Sequence, residues 1–275
     1  MKRLLFNFRE SFSQNYFGYL LESYHFFRDK LSSSKRPEKK FVIFGKGRSG
    51  STLLVSLLNS NPDVFCDGEI LNRKMQNPIR HLHRMARRQS HPIYGFKLLS
   101  YQVMFTHTNI KDKHGFMSKL HNEGFQIIYL RRDNILRYAL SILYARFRMQ
   151  WHHEKGSGEI KREKMKVNLK ELDRLMEDSI RDGKFERDVL SGLPHEEVVY
   201  ERDLEDNSRH DDTVKRLCGF LGIKYTKPET NLMKITTQDL DGFIENADEL
   251  RAHLRGTQFE KYLQPAEYEP VSAVR

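Results

Sequence analysis

The chain has 275 residues, enough to bury a sizeable core as one large domain or two small ones. Lys plus Arg number 47 against 37 Asp plus Glu, a formal charge of +10. That excess points to anionic partners such as nucleotides, sulfated or phosphorylated sugars, nucleic acid or a membrane surface, without choosing among them. Cys66 and Cys218 stand far apart in apolar surroundings, which excludes a CxxC or paired-ligand metal site and implies buried thiols in a reducing compartment.

From the N-terminus, Leu5, Phe8, Phe12, Tyr16, Tyr19, Tyr24, Phe27 and Leu31 fall at roughly helical spacing and form an aromatic stripe over residues 1–31. Arg9, Glu10, Glu22, Arg28 and Asp29 interrupt it, so it reads neither as a secretory leader nor as a membrane span. The expectation is a soluble cytoplasmic protein whose first helix docks on the core or on a twin subunit in a homodimer. The competing reading is a peripheral anchor at a membrane surface. "SSSKRPEKK" then reads as a linker, dividing the chain into 1–40, helix plus linker, and 41–275, the main domain.

Apolar runs at 41–44, 64–66, 93–99, 125–130 and 197–200 read as strands. Helical patterns fall at about 51–60, 75–89, 111–123, 134–151, 162–182 and 211–221. Strands alternating with helices imply right-handed crossovers and an α/β fold: a three-layer sandwich around a central parallel sheet. The charged stretch from Trp151 to Lys170, with "EKGSGE", reads as an excursion beside the site. "RHLHRMARRQSH" at 80–91 is either a solvated helix face or a basic surface that attracts substrate.

The stretch "FVIFGKGRSGST" carries the chemistry. Gly45, Gly50 and Thr52 stand where a phosphate loop of the form GxxxxGK[ST] needs them, but Ser51 replaces its lysine. A strand running into a glycine loop and a helix start offers backbone N–H groups and a helix dipole to an anion. A nucleotide triphosphatase would also require the lysine and an aspartate for magnesium at the end of a second strand. Here "FQIIYL" ends in Arg131-Arg132 instead. Two separated cationic places match a nucleotide phosphorylated at both 5′ and 3′ positions, namely 3′-phosphoadenosine 5′-phosphosulfate. Its leaving group is already good, so metal is less needed, and Arg48 is placed to neutralise charge on the bridging oxygen.

"GRSGSTLL", "CDGEILN", "YGFKLLS", "YLRRDNILRYALS", "VVYERDL" and "FLGI", in that order over 41–262, resemble the bacterial carbohydrate sulfotransferases of the nodulation-factor and trehalose type. The resemblance implies a P-loop-like fold and transfer of a sulfuryl group from that nucleotide to a carbohydrate or glycolipid hydroxyl. It implies that Arg48, Ser49, Gly50, Ser51 and Thr52 hold the 5′-phosphosulfate, and that Arg131 or Arg132, with Ser141, holds the 3′-phosphate. In the wider superfamily the arginine and serine stand eight apart; here the intervals are ten and nine, which leaves open which arginine serves. "LRGTQFE" at 254–260 resembles a loop that closes over the nucleotide, giving Arg255, Gly256 and Thr257.

Glu69 in "CDGEILN" is the expected general base, with Asp67 its close rival and His107 a third option. Lys97, a charge inside an apolar strand, either snorkels to the surface or joins the site, and the resemblance favours the site. Adjacent His152 and His153 read as surface, and no metal site is expected. Two other classes compete with the enzyme reading: a P-loop kinase-like phosphotransferase and a non-catalytic nucleotide- or RNA-binding module. The second lacks any interleaved aromatic and basic RNA motif, so no nucleic-acid partner is expected.

Overall fold

A computed structural model describes residues 37–148, 163–232 and 239–264. The expected 1–31 helix, the 151–162 part of the excursion and the His152-His153 pair lie outside these residues. Five strands form one parallel sheet: β1 (Lys39–Gly45), β2 (Val64–Asp67), β3 (Ile93–Leu99), β4 (Phe125–Arg131) and β5 (His195–Val199), in the order β2-β3-β1-β4-β5. The register pairs Ile43 with Lys97 on β3 and with Ile128 on β4, so the phosphate-loop strand runs through the middle of the sheet. Connections leave β1 toward β2 and leave β3 toward β4. Direction therefore reverses around β1, which opens a crevice at its carboxyl end.

The strands are continuous apolar runs because both faces are covered. One face buries Phe41, Ile43, Ile128 and Leu130 against α1 (Ser51–Asn59) and α6 (His210–Leu221). The other buries Val42, Phe44, Phe96 and Ile127 against α2 (Pro78–Arg87), α3 (Lys113–Asn122) and the end of α5 (Leu169–Leu190). A satellite cluster joins α4 (Ile135–Arg148), α5 and α7 (Ala247–Leu254) through Leu136, Leu140, Leu172, Met176 and Leu250. The expected α/β sandwich with a central parallel sheet is therefore the fold. Among the described residues no helix is long and apolar enough to cross a membrane.

Two boundaries differ from expectation for clear reasons. The helix expected at 162–182 begins at Leu169, where the Asn168 side chain accepts from the Glu171 N–H, and it runs on to Leu190. Residues 163–168 do not form the expected excursion. Met165 donates its N–H to Phe243 O at 2.8 Å and accepts from Glu245 N at 2.9 Å, and Met165 and Val167 are buried. Most of the 80–91 cluster lies on the amphipathic α2, which ends at Arg87: Ile79, Leu82 and Ala86 enter the core, and Asn77 caps it through the Arg80 N–H.

Candidate active site

The loop after β1 is shaped by steric necessity. A Cβ on Gly45 would lie 1.9 Å from the Leu130 carbonyl oxygen, and one on Gly50 would lie 2.6 Å from the Tyr200 ring. Gly50 also takes φ 88° and begins α1 with no side chain capping the helix, so the first-turn N–H groups face the loop. Arg48 adopts φ 63°, the one described non-glycine residue with a positive φ. That conformation costs about 1–2 kcal/mol, a sign of a segment shaped for something other than stability. The Ser49 hydroxyl is fully buried with no hydrogen-bond partner. An orphaned hydroxyl, uncapped amides and a cradle closed to any Cβ fit a phosphate-like anion.

Arg132 ties the end of β4 to this loop. Its Nη1 donates to the Arg48 carbonyl at 3.2 Å, its Nε donates to Glu201 Oε1 at 3.3 Å, and its guanidinium lies 4.6 Å from the Tyr200 ring centre. Glu201 also accepts the N–H groups of Asp133 and Asn134 at 3.0 and 3.1 Å. Burial raises the Glu201 carboxyl's pKa, and Arg132 and the amides pull it back down. Arg131 points elsewhere, paired with Asp133 and Glu197 in a half-exposed position. The two arginines thus diverge, and Arg132 is the one that touches the phosphate loop. Burial, followed by the neighbouring Arg132 charge, lowers the Arg48 pKa, which places the two guanidinium groups side by side at the loop.

On the other flank, Lys97 and Glu69 form a chain to the loop. Lys97 is 8% exposed, donates to Thr52 Oγ1 at 3.5 Å, and pairs with Glu69 Oε1 at 3.1 Å. Snorkelling is therefore not what holds it. Glu69 Oε2 accepts from Tyr101 Oη at 3.0 Å and from Gln102 Nε2 at 3.4 Å. The rival Asp67 accepts from the Tyr94 hydroxyl at 2.9 Å, and burial raises its pKa. His107 is 1% exposed with a ring nitrogen on the Leu71 carbonyl, and burial lowers its pKa, which places it among packed side chains.

Ser141 and the 255–257 loop stand apart from this centre. The Ser141 hydroxyl is buried in α4 and donates to Tyr138 O at 2.7 Å. Thr257 donates to Leu254 O, and Gly256, at φ 75°, donates its N–H to Glu260. None of Arg255, Gly256 and Thr257 lines the cavity of about 360 Å³ beyond the end of β4, whereas the following Gln258, Phe259, Lys261 and Tyr262 do. Asn134 holds that segment by donating to Tyr262 O at 3.1 Å.

Sequence reasoning missed the opposite wall of this cavity. Lys46, Tyr129, Ser179, Gly183 and Glu186 line it together with Arg131 and Arg132. Glu186 is fully buried and accepts from the Tyr129 hydroxyl at 3.1 Å, with its second oxygen unpartnered. Burial pushes its pKa up to about 7, against the opposing pull of Lys46. The usable signals were a lysine inside the glycine loop and a glycine midway along a helical pattern. Among the described residues no group of His, Cys, Asp and Glu is arranged to hold a metal.

No family model matches the chain, and no curated protein matches it significantly. Solved structures share its outline at low identity. The sulfotransferase domain of the Synechococcus PCC 7002 olefin synthase is 15% identical over 71% of this chain and 77% of its own, with a TM-score of 0.41. Mouse sulfotransferase SULT7A1, complexed with PAP, is 15% identical over 86% and 93%, with a TM-score of 0.42. Shikimate kinase from Bacteroides thetaiotaomicron is also 15% identical, over 67% and 99%, with a TM-score of 0.38. Likeness at this identity and TM-score assigns no reaction to the chain.

Proposed function

We propose that the chain transfers a sulfuryl group from 3′-phosphoadenosine 5′-phosphosulfate to a hydroxyl of a carbohydrate or glycolipid. The observation that carries this reading is the join between Arg132 and the Arg48 carbonyl. The strand beside the phosphate loop delivers arginine where a triphosphatase needs a magnesium-binding aspartate, and Ser51 stands in place of the loop lysine. The orphaned Ser49 hydroxyl and the uncapped start of α1, including Ser51 and Thr52, suit the 5′-phosphosulfate. Arg132, with Arg131 on its far side, suits the 3′-phosphate. Ser141 would join them only by exchanging its bond to Tyr138 O. Arg255, Gly256 and Thr257 would act by setting the turn that carries 258–262 over the cavity.

In the reaction the acceptor oxygen attacks sulfur while the bond from sulfur to the bridging phosphate oxygen breaks. The electron pair leaves with the nucleotide, where Arg48 neutralises the developing charge. The acceptor proton passes to Glu69, whose carboxylate Lys97 holds toward Thr52. The carbohydrate or glycolipid class rests on the motif resemblance, cytoplasmic residence on the two separated cysteines, and a role for 1–31 in dimer or membrane contact on its aromatic stripe.

Sulfate transfer from labelled donor to defined sugars and lipid extracts, with the product identified by mass, tests the reading. Magnesium-dependent turnover of ATP with no sulfate transfer would replace it with the kinase.

A further inference from the structure

Lys46 follows Gly45 directly, yet its ammonium turns away from the loop into the α5 side of the cavity. It is 5% exposed, and its hydrogen bonds go to Ser179 alone: the carbonyl at 3.0 Å and the hydroxyl at 2.7 Å. The ring of Tyr138 lies 4.8 Å away. A buried ammonium held only by neutral oxygens is an expensive arrangement in a fold with no use for it. Burial lowers its pKa; Glu186 and Asp182 on α5 and Glu201 beyond β5 oppose this, and Arg187 adds to it. The same cavity carries Arg131, Arg132, Arg187 and Lys261, and its walls hold more positive than negative side chains.

Gly183 marks this as space kept open. It sits inside the 22-residue α5, where glycine costs roughly 1 kcal/mol relative to alanine. Its φ is not positive, and a Cβ there would meet only Arg187 Nη1 at 3.5 Å and Lys46 Nζ at 3.9 Å, ordinary contacts. Backbone conformation therefore does not demand glycine. A larger side chain would instead project into the cavity beside the Lys46 ammonium.

We propose that Lys46 is a ligand-binding cation of the phosphate loop, held by Ser179 and transferred to a phosphate-ester anion that enters the α5 cavity. It would supply, from the loop's start, the lysine that Ser51 does not. The identity of the anion as the donor nucleotide rests on the sulfotransferase reading; the transfer of Lys46 does not. A purely structural lysine, tethering the loop to α5, is the opposing account. The two differ in sign. A stored cation costs stability until its ligand arrives, so Lys46→Met should raise the melting temperature of the empty protein while weakening anion binding. Ser179→Ala, which removes the storage hydroxyl, should leave binding intact or strengthen it.

Calorimetry with 3′-phosphoadenosine 5′-phosphate and with inorganic pyrophosphate, beside thermal melts, decides it on wild type, Lys46→Met, Lys46→Arg and Ser179→Ala. We expect Lys46→Met to lose about tenfold or more in affinity, the scale of one charge-assisted bond, and Lys46→Arg to recover part of it. Gly183→Leu, a good helix former, should fold and exclude the nucleotide. Nucleotide affinity unchanged in Lys46→Met, or Lys46→Met and Ser179→Ala both melting lower and binding equally worse, would overturn the inference. If wild type prefers pyrophosphate or ATP while Lys46→Met still loses affinity, the donor reading falls and the role of Lys46 stands. If wild type binds neither probe, both fall.

Discussion

Arg132 donates to the backbone carbonyl of Arg48 across 84 residues of sequence, which ties the end of β4 to the phosphate loop. The same guanidinium pairs with Glu201, and both side chains are nearly fully buried. Removing it leaves a buried carboxyl without its cation, a loss of ~3–5 kcal/mol. Arg132→Ala should therefore lower both the denaturation midpoint and donor affinity. Arg131→Ala removes a half-exposed pair and should cost at most ~1 kcal/mol of stability. Urea denaturation with nucleotide titration checks this. Equal losses in the two variants would contradict the division of labour.

Arg48 combines a strained backbone with a useful side chain. Arg48→Ala should cost ~2.7–4 kcal/mol of transition-state stabilisation, by analogy with other preorganised donors, and less of donor binding. Arg48→Gly should lose the same chemistry while relieving the φ 63° strain, raising stability by about 1 kcal/mol. Paired turnover and melting measurements check this. A glycine variant no more stable than the alanine variant would show that the strain is absent.

Glu186 makes stability depend on pH. Its folded value is about 7 against an ordinary 4.5, so between those values the folded chain keeps a proton that the unfolded chain has released. Stability contributed by this group therefore falls as pH rises from about 4.5 to about 7, then levels off, a change on the order of 1–3 kcal/mol. Glu186→Gln should flatten that limb and be the more stable protein at pH 8. Denaturation midpoints at half-unit pH steps would show it, and parallel curves for both proteins would refute it.

Gly183→Ala should stabilise α5 by about 1 kcal/mol, because its new methyl meets only ordinary contacts. It should also weaken nucleotide binding slightly by narrowing the cavity. A destabilised alanine variant, measured by thermal melting, would mean that the neighbours cannot accommodate the methyl.

Much of this was readable in the amino-acid order. The apolar runs placed all five strands, and Gly45 and Gly50 announced a loop that tolerates no Cβ. Asn168 with Glu171 three residues on was a legible helix start that periodicity alone overran, since the apolar pattern continues upstream through Met165 and Val167. Those two residues are buried by pairing with 243–245, a contact that no local pattern encodes. The cavity wall was illegible for the same reason. Lys46 meets Ser179 across 133 residues and Tyr129 meets Glu186 across 57, so each looked like an ordinary loop, strand or helix residue. Glu201 stood in a quoted motif, but its role as partner of Arg132 depends on β5 lying beside β4.

The assignment of the base turns on two carboxylates two residues apart. Glu69 lies just beyond β2, with one oxygen on Lys97 and the other on the Tyr101 hydroxyl, and Lys97 in turn reaches Thr52 of the phosphate loop. An acceptor hydroxyl presented to the sulfur would find Glu69 on the flank opposite Arg132, where a proton acceptor is needed. Asp67 instead accepts from the Tyr94 hydroxyl of β3, and not from a residue that reaches the phosphate loop. Glu69→Gln keeps the shape and removes the basic site. Its turnover should fall roughly 10²–10⁴-fold with donor affinity near wild type. Asp67→Asn should retain most turnover and lose some stability through the altered Tyr94 bond. Because Lys97 orients Glu69, Lys97→Met should reproduce part of the turnover loss, and Tyr101→Phe a smaller part. Sulfate transfer and nucleotide binding measured side by side for the four variants settle the matter. A dead Asp67→Asn that still binds nucleotide, beside an active Glu69→Gln, would move the role to Asp67. If both carboxylate variants stay active, neither carboxylate takes the proton.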